Sequence, residues 1–136
     1  MLANNDVLGE IERLGLCDDV VVLGYLPQED LPCLYNLARL IVFPSLSEGF
    51  GIPLVESMAC GCPVVCSNVT SIPEVVGEAA LTFDPGSAEE MAEQIWSLWG
   101  DDTLRQKYRT KGLARVKPFN GENMARQTID VYGKAL

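Results

Sequence analysis

Leu40-Ile41-Val42-Phe43-Pro44-Ser45-Leu46-Ser47-Glu48-Gly49-Phe50-Gly51-Ile52-Pro53-Leu54-Val55-Glu56 reads as a buried strand, a glycine-rich turn and the start of a helix. The apolar run is continuous rather than alternating, the pattern of a strand covered on both faces of a parallel sheet. Pro53 suits the first turn of a helix, where its missing N–H costs little. Val20-Val21-Val22-Leu23, Pro63-Val64-Val65-Cys66 and Ala80-Leu81-Thr82-Phe83 have the same character. Successive runs are spaced by roughly 20 residues, enough for a crossover connection each time. The expected class is α/β, a partial Rossmann-like parallel sheet of about four strands.

Helical signals fill the intervals. Val7, Leu8, Ile11 and Leu14 form a stripe that ends at Gly15, and Leu31, Leu34, Tyr35 and Ala38 form another with Pro32 in its first turn. Gly61 closes the helix that Pro53 opens, and Pro73 to Gly77 allow no more than one turn. After Asp84-Pro85-Gly86 the pattern is wholly helical. Ser87 with Glu90 is a capping box, Asp101 or Asp102 opens a second helix and Asn120 a third, with Phe119 and Met124 placed as a hydrophobic staple. The sheet therefore carries a helical C-terminal tail.

The 136 residues are expected to form one domain, and 48% hydrophobic against 21% charged residues excludes a disordered chain. The net charge of −9 is uneven: −15 up to Thr103 and +6 from Leu104 onward. So acidic a body is unsuited to nucleic acid, which demands a basic surface. No apolar run reaches the ~20 residues of a membrane span, and the N-terminus lacks a secretory pattern, so a cytoplasmic location is expected. Five cysteines (Cys17, Cys33, Cys60, Cys62, Cys66) are an odd number and lack the spacing of a structural zinc site, so no disulfide framework and no metal is expected. The absence of histidine leaves carboxylates as the available acid–base groups.

The opening stretch carries the chemistry. Ligands of open parallel sheets sit at the carboxyl ends of strands, and free N–H groups at a helix start favour anions. Gly49 and Gly51 let the backbone approach a ligand closely. Glu48 and Glu56 repel phosphate but accept well from sugar hydroxyls. N–H donors for a phosphate beside two carboxylates for hydroxyls describe a nucleotide-sugar site. The plainer alternative makes Glu48 a solvated loop acid and Glu56 a complement to the helix dipole.

At these residues the sequence resembles a known family. Seven residues separate Glu48 from Glu56, and the block Ser45 to Val65 is similar to the signature of retaining group 1 glycosyltransferases (family 4, GT-B fold). The likeness continues through Gly24-Tyr25-Leu26-Pro27, Leu31 to Tyr35, Ser67-Asn68, Ile72 to Val76 and Phe83-Asp84-Pro85, in the family's order. The resemblance implies a C-terminal donor-binding domain that transfers a hexose with retention from a UDP-, GDP- or ADP-sugar, without a cofactor or metal. It implies that Glu48 contacts the donor sugar and holds the reacting anomeric centre. Glu56 would take the ribose hydroxyls, the backbone around Gly49, Phe50, Gly51 and Ile52 would face the sugar, and the Leu54 and Val55 amides the diphosphate. Tyr25 and Leu26 would border the nucleobase.

The family's first strand–helix unit, second strand, diphosphate-clamping Arg and Lys, and acceptor-binding N-terminal domain have no counterpart in these residues. In a sheet of order 3-2-1-4-5-6, Val20–Leu23 would lie beyond two absent strands and Leu40–Phe43 would expose an edge. The chain alone is expected to be inactive and marginally stable, with a glycan or lipid-linked acceptor bound through the missing domain. A different class of reading makes it a non-catalytic or split-enzyme interaction module. The basic run Arg105–Lys117 is read either as a solvated face or as a peripheral contact with anionic lipid at the inner face of the plasma membrane. Asn68-Val69-Thr70 matches a glycosylation acceptor but lies within the family block and is discounted.

Overall fold

In the computed structural model, which describes residues 4–135, the chain divides between Asp30 and Leu31 into two compact units. The first carries α1 (Asn4–Arg13), after which Gly15 takes the left-handed conformation at φ 68°, and a 3-10 turn at Gln28–Asp30. Val20 to Leu23 has no ladder partner among the described residues, and Val21, Val22 and Leu23 are 78%, 56% and 54% exposed. The sheet therefore has three strands rather than the four expected. An apolar run becomes a strand only when a neighbour accepts and donates its ladder hydrogen bonds, and none is present here.

The second unit runs α2 (Leu31–Leu37), β1 (Ile41–Phe43), α3 (Ile52–Ala59), β2 (Val64–Ser67), α4 (Ile72–Val76), β3 (Ala80–Phe83), α5 (Ala88–Gly100), α6 (Asp102–Arg115) and α7 (Gly121–Ala135). The strands are parallel in the order β1-β2-β3, with Val42 beside Val65 and Val65 beside Leu81. Every residue of β2 is buried, while β1 is half-buried at the edge. Alternation along β2 divides the core. Val64 and Cys66 join Leu54 and Met58 of α3 and Ile72 and Val76 of α4. Val65 joins Phe83 and Leu98, with Met91, Ile95, Leu104 and Tyr108 packed around them. Helices thus cover both faces, which is why the strands read as continuous apolar runs. α6 approaches α3 closely at Gly112, where a Cβ would stand 3.2 Å from Met58 Cγ.

The caps fall where the sequence placed them. Ser87 Oγ accepts the Glu90 N–H (3.1 Å), Asp101 Oδ1 the Leu104 N–H (2.9 Å) and Asn120 Oδ1 the Asn123 N–H (2.9 Å). Glu90 departs from a full capping box, since its carboxylate accepts the Asp84 N–H at 2.9 Å.

The arginines of the basic run make specific contacts within the fold. Arg105 donates to the Leu98 and Trp99 carbonyls at the end of α5, and Arg109 to the Gly61 carbonyl beyond α3 at 3.1 Å. Arg115 donates to the Val75 carbonyl (2.9 Å) and to that of Glu74 in α4. Arg105 and Arg115 bond carbonyls in the last turns of α5 and α4, which such ends leave without an intrahelical partner. Arg109 bonds one just past α3, and each positive charge suits the C-terminal end of a helix dipole. Lys111 pairs with Glu78 at 3.4 Å. The three arginines thus fasten α5, the turn after α3 and α4 to α6.

Cys62 and Cys66 are buried, Cys60 half-buried, and Cys17 and Cys33 exposed. Burial pushes the Cys66 thiol up to about 12, and burial with the nearby Cys60 pushes Cys62 up to about 11. Because the fold disfavours their thiolates, the associated stability is complete below the ordinary thiol range near pH ~9 and is lost as pH rises toward these values. Mass spectrometry after iodoacetamide treatment at pH 8 should find Cys17 and Cys33 alkylated and Cys62 and Cys66 protected until urea unfolds the chain. Labelling of Cys66 at the rate of Cys33 would contradict this core.

Candidate functional site

The loop between β1 and α3 leaves the carboxyl end of the edge strand and is closed by Gly51. Gly51 has φ 87°, and a Cβ on it would come within 2.9 Å of Leu54 Cδ1. The left-handed backbone therefore favours glycine, and a Cβ would also press on the Leu54 side chain. Gly51 is the residue before α3, Pro53 lies in the first turn, and the Leu54 N–H donates to the Gly51 carbonyl at 3.0 Å. The Leu54 amide is thus already committed within the helix start, and its side chain is fully buried.

Glu48 is held at three points. Ser45 Oγ donates to its carboxylate Oε1 at 2.8 Å. Its backbone N–H donates to Thr70 Oγ1 at 3.1 Å, and its carbonyl accepts from Ser71 Oγ at 3.0 Å. Ser67 Oγ donates to the Ser45 carbonyl at 2.6 Å, a further tie between this loop and the end of β2. Two loops leaving adjacent parallel strands at the same end of the sheet thus lock together through the backbone of Glu48 and Ser45, while the Glu48 carboxylate is held within its own loop by Ser45. Sequence reading singled out Glu48 but missed Ser45, Ser67, Thr70 and Ser71. The available signal was the clustering of hydroxyl residues after two consecutive strands, where ligands of such sheets sit.

Glu56 is placed differently. Its carboxylate lies beside the hydroxyl of Tyr35 on α2, and burial followed by this negative neighbour raises the Tyr35 pKa above its ordinary value. Phe50, Ile52 and Val55 line a cleft of about 460 Å³ with Phe119, Asn120 and Met124 from the junction of α6 and α7. Phe50 meets Phe119 edge to face at 5.8 Å, and the Arg115 guanidinium lies 5.3 Å from the Phe119 ring centre. These contacts hold the loop to the helical tail. Gly49 borders a smaller cleft of about 170 Å³ that also includes Ser71, Glu74 and Arg115. Tyr25 and Leu26 belong to the first unit, where Tyr25 is 96% exposed after Gly24, a left-handed residue at φ 67°, and Leu26 is half-buried. Among the described residues no group of three or more His, Cys, Asp or Glu side chains is arranged to hold a metal ion, and no helix is long and apolar enough to cross a membrane.

Fold and loop together define an open parallel α/β domain with a glycine-hinged, carboxylate-bearing loop at the carboxyl ends of its strands. Residues 4–115 match the family described as "Glycosyl transferases group 1", and the chain belongs to that family. It is 47% identical over 129 residues to the O-antigen chain mannosyltransferase B of Escherichia coli, covering 94% of this chain and 34% of that protein. It is 35% identical over 130 residues to the MMP alpha-(1->4)-mannosyltransferase of Mycolicibacterium hassiacum, covering 93% of this chain and 32% of that one. Among solved structures, sucrose-phosphate synthase of Thermosynechococcus elongatus superposes with a TM-score of 0.86 at 30% identity, over 96% of this chain and 34% of that one. HepE of Anabaena in complex with UDP-glucose superposes with a TM-score of 0.83 at 26% identity, over 98% of this chain and 38% of that one. The chain thus spans about a third of the length of these relatives.

Proposed function

We propose that this chain is the donor-binding part of a retaining hexosyltransferase that uses a nucleoside diphosphate sugar. The observation that carries the reading is Glu48, whose peptide and carboxylate are each held by a hydroxyl at the carboxyl end of a parallel strand. A carboxylate fixed in this way is an acceptor for sugar hydroxyls and a fixed negative charge for the positive charge that develops at an anomeric carbon. Phosphate oxygens would lie toward the start of α3, where the helix dipole favours an anion. Of the two amides expected to meet the diphosphate, that of Leu54 already has its acceptor in the Gly51 carbonyl, which leaves that of Val55, a residue lining the cleft. Glu56 would take ribose hydroxyls, with Tyr35 orienting its carboxylate. The names of the E. coli and Mycolicibacterium relatives support mannose as the sugar.

Because the chain corresponds to about a third of those relatives, the 136 residues alone are expected to bind donor weakly and to turn over none. The acceptor, a glycan or lipid-linked saccharide, would be held by another domain. The test is a graft in which these residues replace the matching third of the E. coli mannosyltransferase, assayed with its own acceptor and with GDP-mannose, UDP-glucose or ADP-glucose. Transfer from one of these donors, with the anomeric configuration kept by NMR of the product, is the expected result. A folded graft that transfers from none of them would refute the proposal.

A further inference from the structure

Thr70 has a backbone that a threonine rarely adopts. Its φ is 51°, the left-handed region, and it is a β-branched residue, for which that region is a genuine outlier. Among the described residues it is the one non-glycine residue with positive φ. Such strain persists only where the surroundings over-determine it, and here they do. Two residues before Thr70, the Asn68 N–H donates to the Phe83 carbonyl of β3 at 2.9 Å. Two residues after it, the Ile72 side chain is fully buried, and the Ile72 N–H donates to the Val69 carbonyl at 3.1 Å. The chain is pinned on both sides, and the turn between the pins presents the Thr70 and Ser71 hydroxyls to opposite ends of one residue. Thr70 Oγ1 accepts from the Glu48 N–H, and Ser71 Oγ donates to the Glu48 carbonyl.

We infer that Thr70 is a positioning residue, whose strained backbone sets its hydroxyl against the Glu48 amide and, with Ser71, fixes the direction of the Glu48 carboxylate. The inference rests on the donor-site reading for its consequence in catalysis, though not for its geometry. Glycine at this position would relieve the strained φ and remove the hydroxyl in one change. Stability and site geometry should then move in opposite directions, which a merely structural role cannot produce.

Three variants separate the terms. Thr70→Gly loses the hydroxyl and frees the backbone, Thr70→Ala loses the hydroxyl and keeps a Cβ at positive φ, and Thr70→Ser keeps both the hydroxyl and that Cβ. In the intact 136-residue chain, hydrogen exchange followed by NMR should show the Glu48 amide exchanging about tenfold faster or more in the Gly and Ala variants, as a lost hydrogen bond predicts. Thr70→Ser should exchange like the parent, and Thr70→Gly should have a thermal midpoint at or above it. In the graft supplied with GDP-mannose, the Gly and Ala variants should lower kcat by about 10–100-fold with little change in KM, the pattern of a displaced group. Thr70→Ser should restore kcat. Equal exchange of the Glu48 amide in all four proteins would overturn the positioning claim, and so would faster exchange with unchanged kcat. Absence of transfer by the parent graft with every donor would overturn the proposed function instead, leaving the exchange arm to decide the geometry alone.

Discussion

Glu48→Gln in the grafted enzyme is expected to lower kcat by about 10²–10³-fold, the range measured when one preorganised electrostatic group is removed from a site. Glutamine preserves the volume and offers Ser45 a carbonyl oxygen in place of Oε1, which now accepts at 2.8 Å. The backbone ties to Thr70 and Ser71 do not involve the side chain and should survive. The urea midpoint should therefore hold to within the ~1 kcal/mol of one ordinary hydrogen bond, while turnover collapses. Such a separation assigns the loss to charge rather than to folding. Kinetics unchanged by Glu48→Gln would remove Glu48 from the reaction and leave it a solvated loop acid.

Leu54→Ala should have the largest effect on stability, about 2–5 kcal/mol by the usual range for a buried leucine. Leu54 is fully buried and belongs to the core cluster that joins α3, α4 and β2. Its Cδ1 also lies directly beneath Gly51, which makes it the floor of the loop that carries Glu48. Domains of this kind are stable by only ~5–15 kcal/mol in total, so the change should remove a large part of the cooperative transition in urea. A loss below about 1 kcal/mol would fall outside the range for a close-packed site and would mean that α3 does not rest on the sheet as described.

Local features were legible because their partners lie close in sequence. Ser87, Asp101 and Asn120 each cap an N–H three residues ahead, so the residue type and its offset suffice. Pro53 marks the start of α3 by the same logic. Continuous rather than alternating apolar runs correctly indicated a parallel sheet with covered faces. Val20 to Leu23 has the composition of a strand, yet composition says nothing about whether a neighbour is available, and this run has none among the described residues. The acceptors of the arginines in α6 were not legible for a related reason. A count of arginines reveals the sign of a surface, whereas their acceptors here are carbonyls at the ends of three other helices.

Sequence alone determined the class of the fold and the starts and caps of its helices, since these depend on spacing within one or two turns of chain. Tertiary structure decided which runs pair, where the arginines are spent and what holds Glu48. The ties of Glu48 to Thr70 and of Arg109 to Gly61 join residues 22 and 48 positions apart, and no local pattern encodes a partner at that distance. They appear only once parallel strands bring successive loops to the same end of the sheet, where a threonine held in a strained turn can reach the amide of a glutamate from the loop before it.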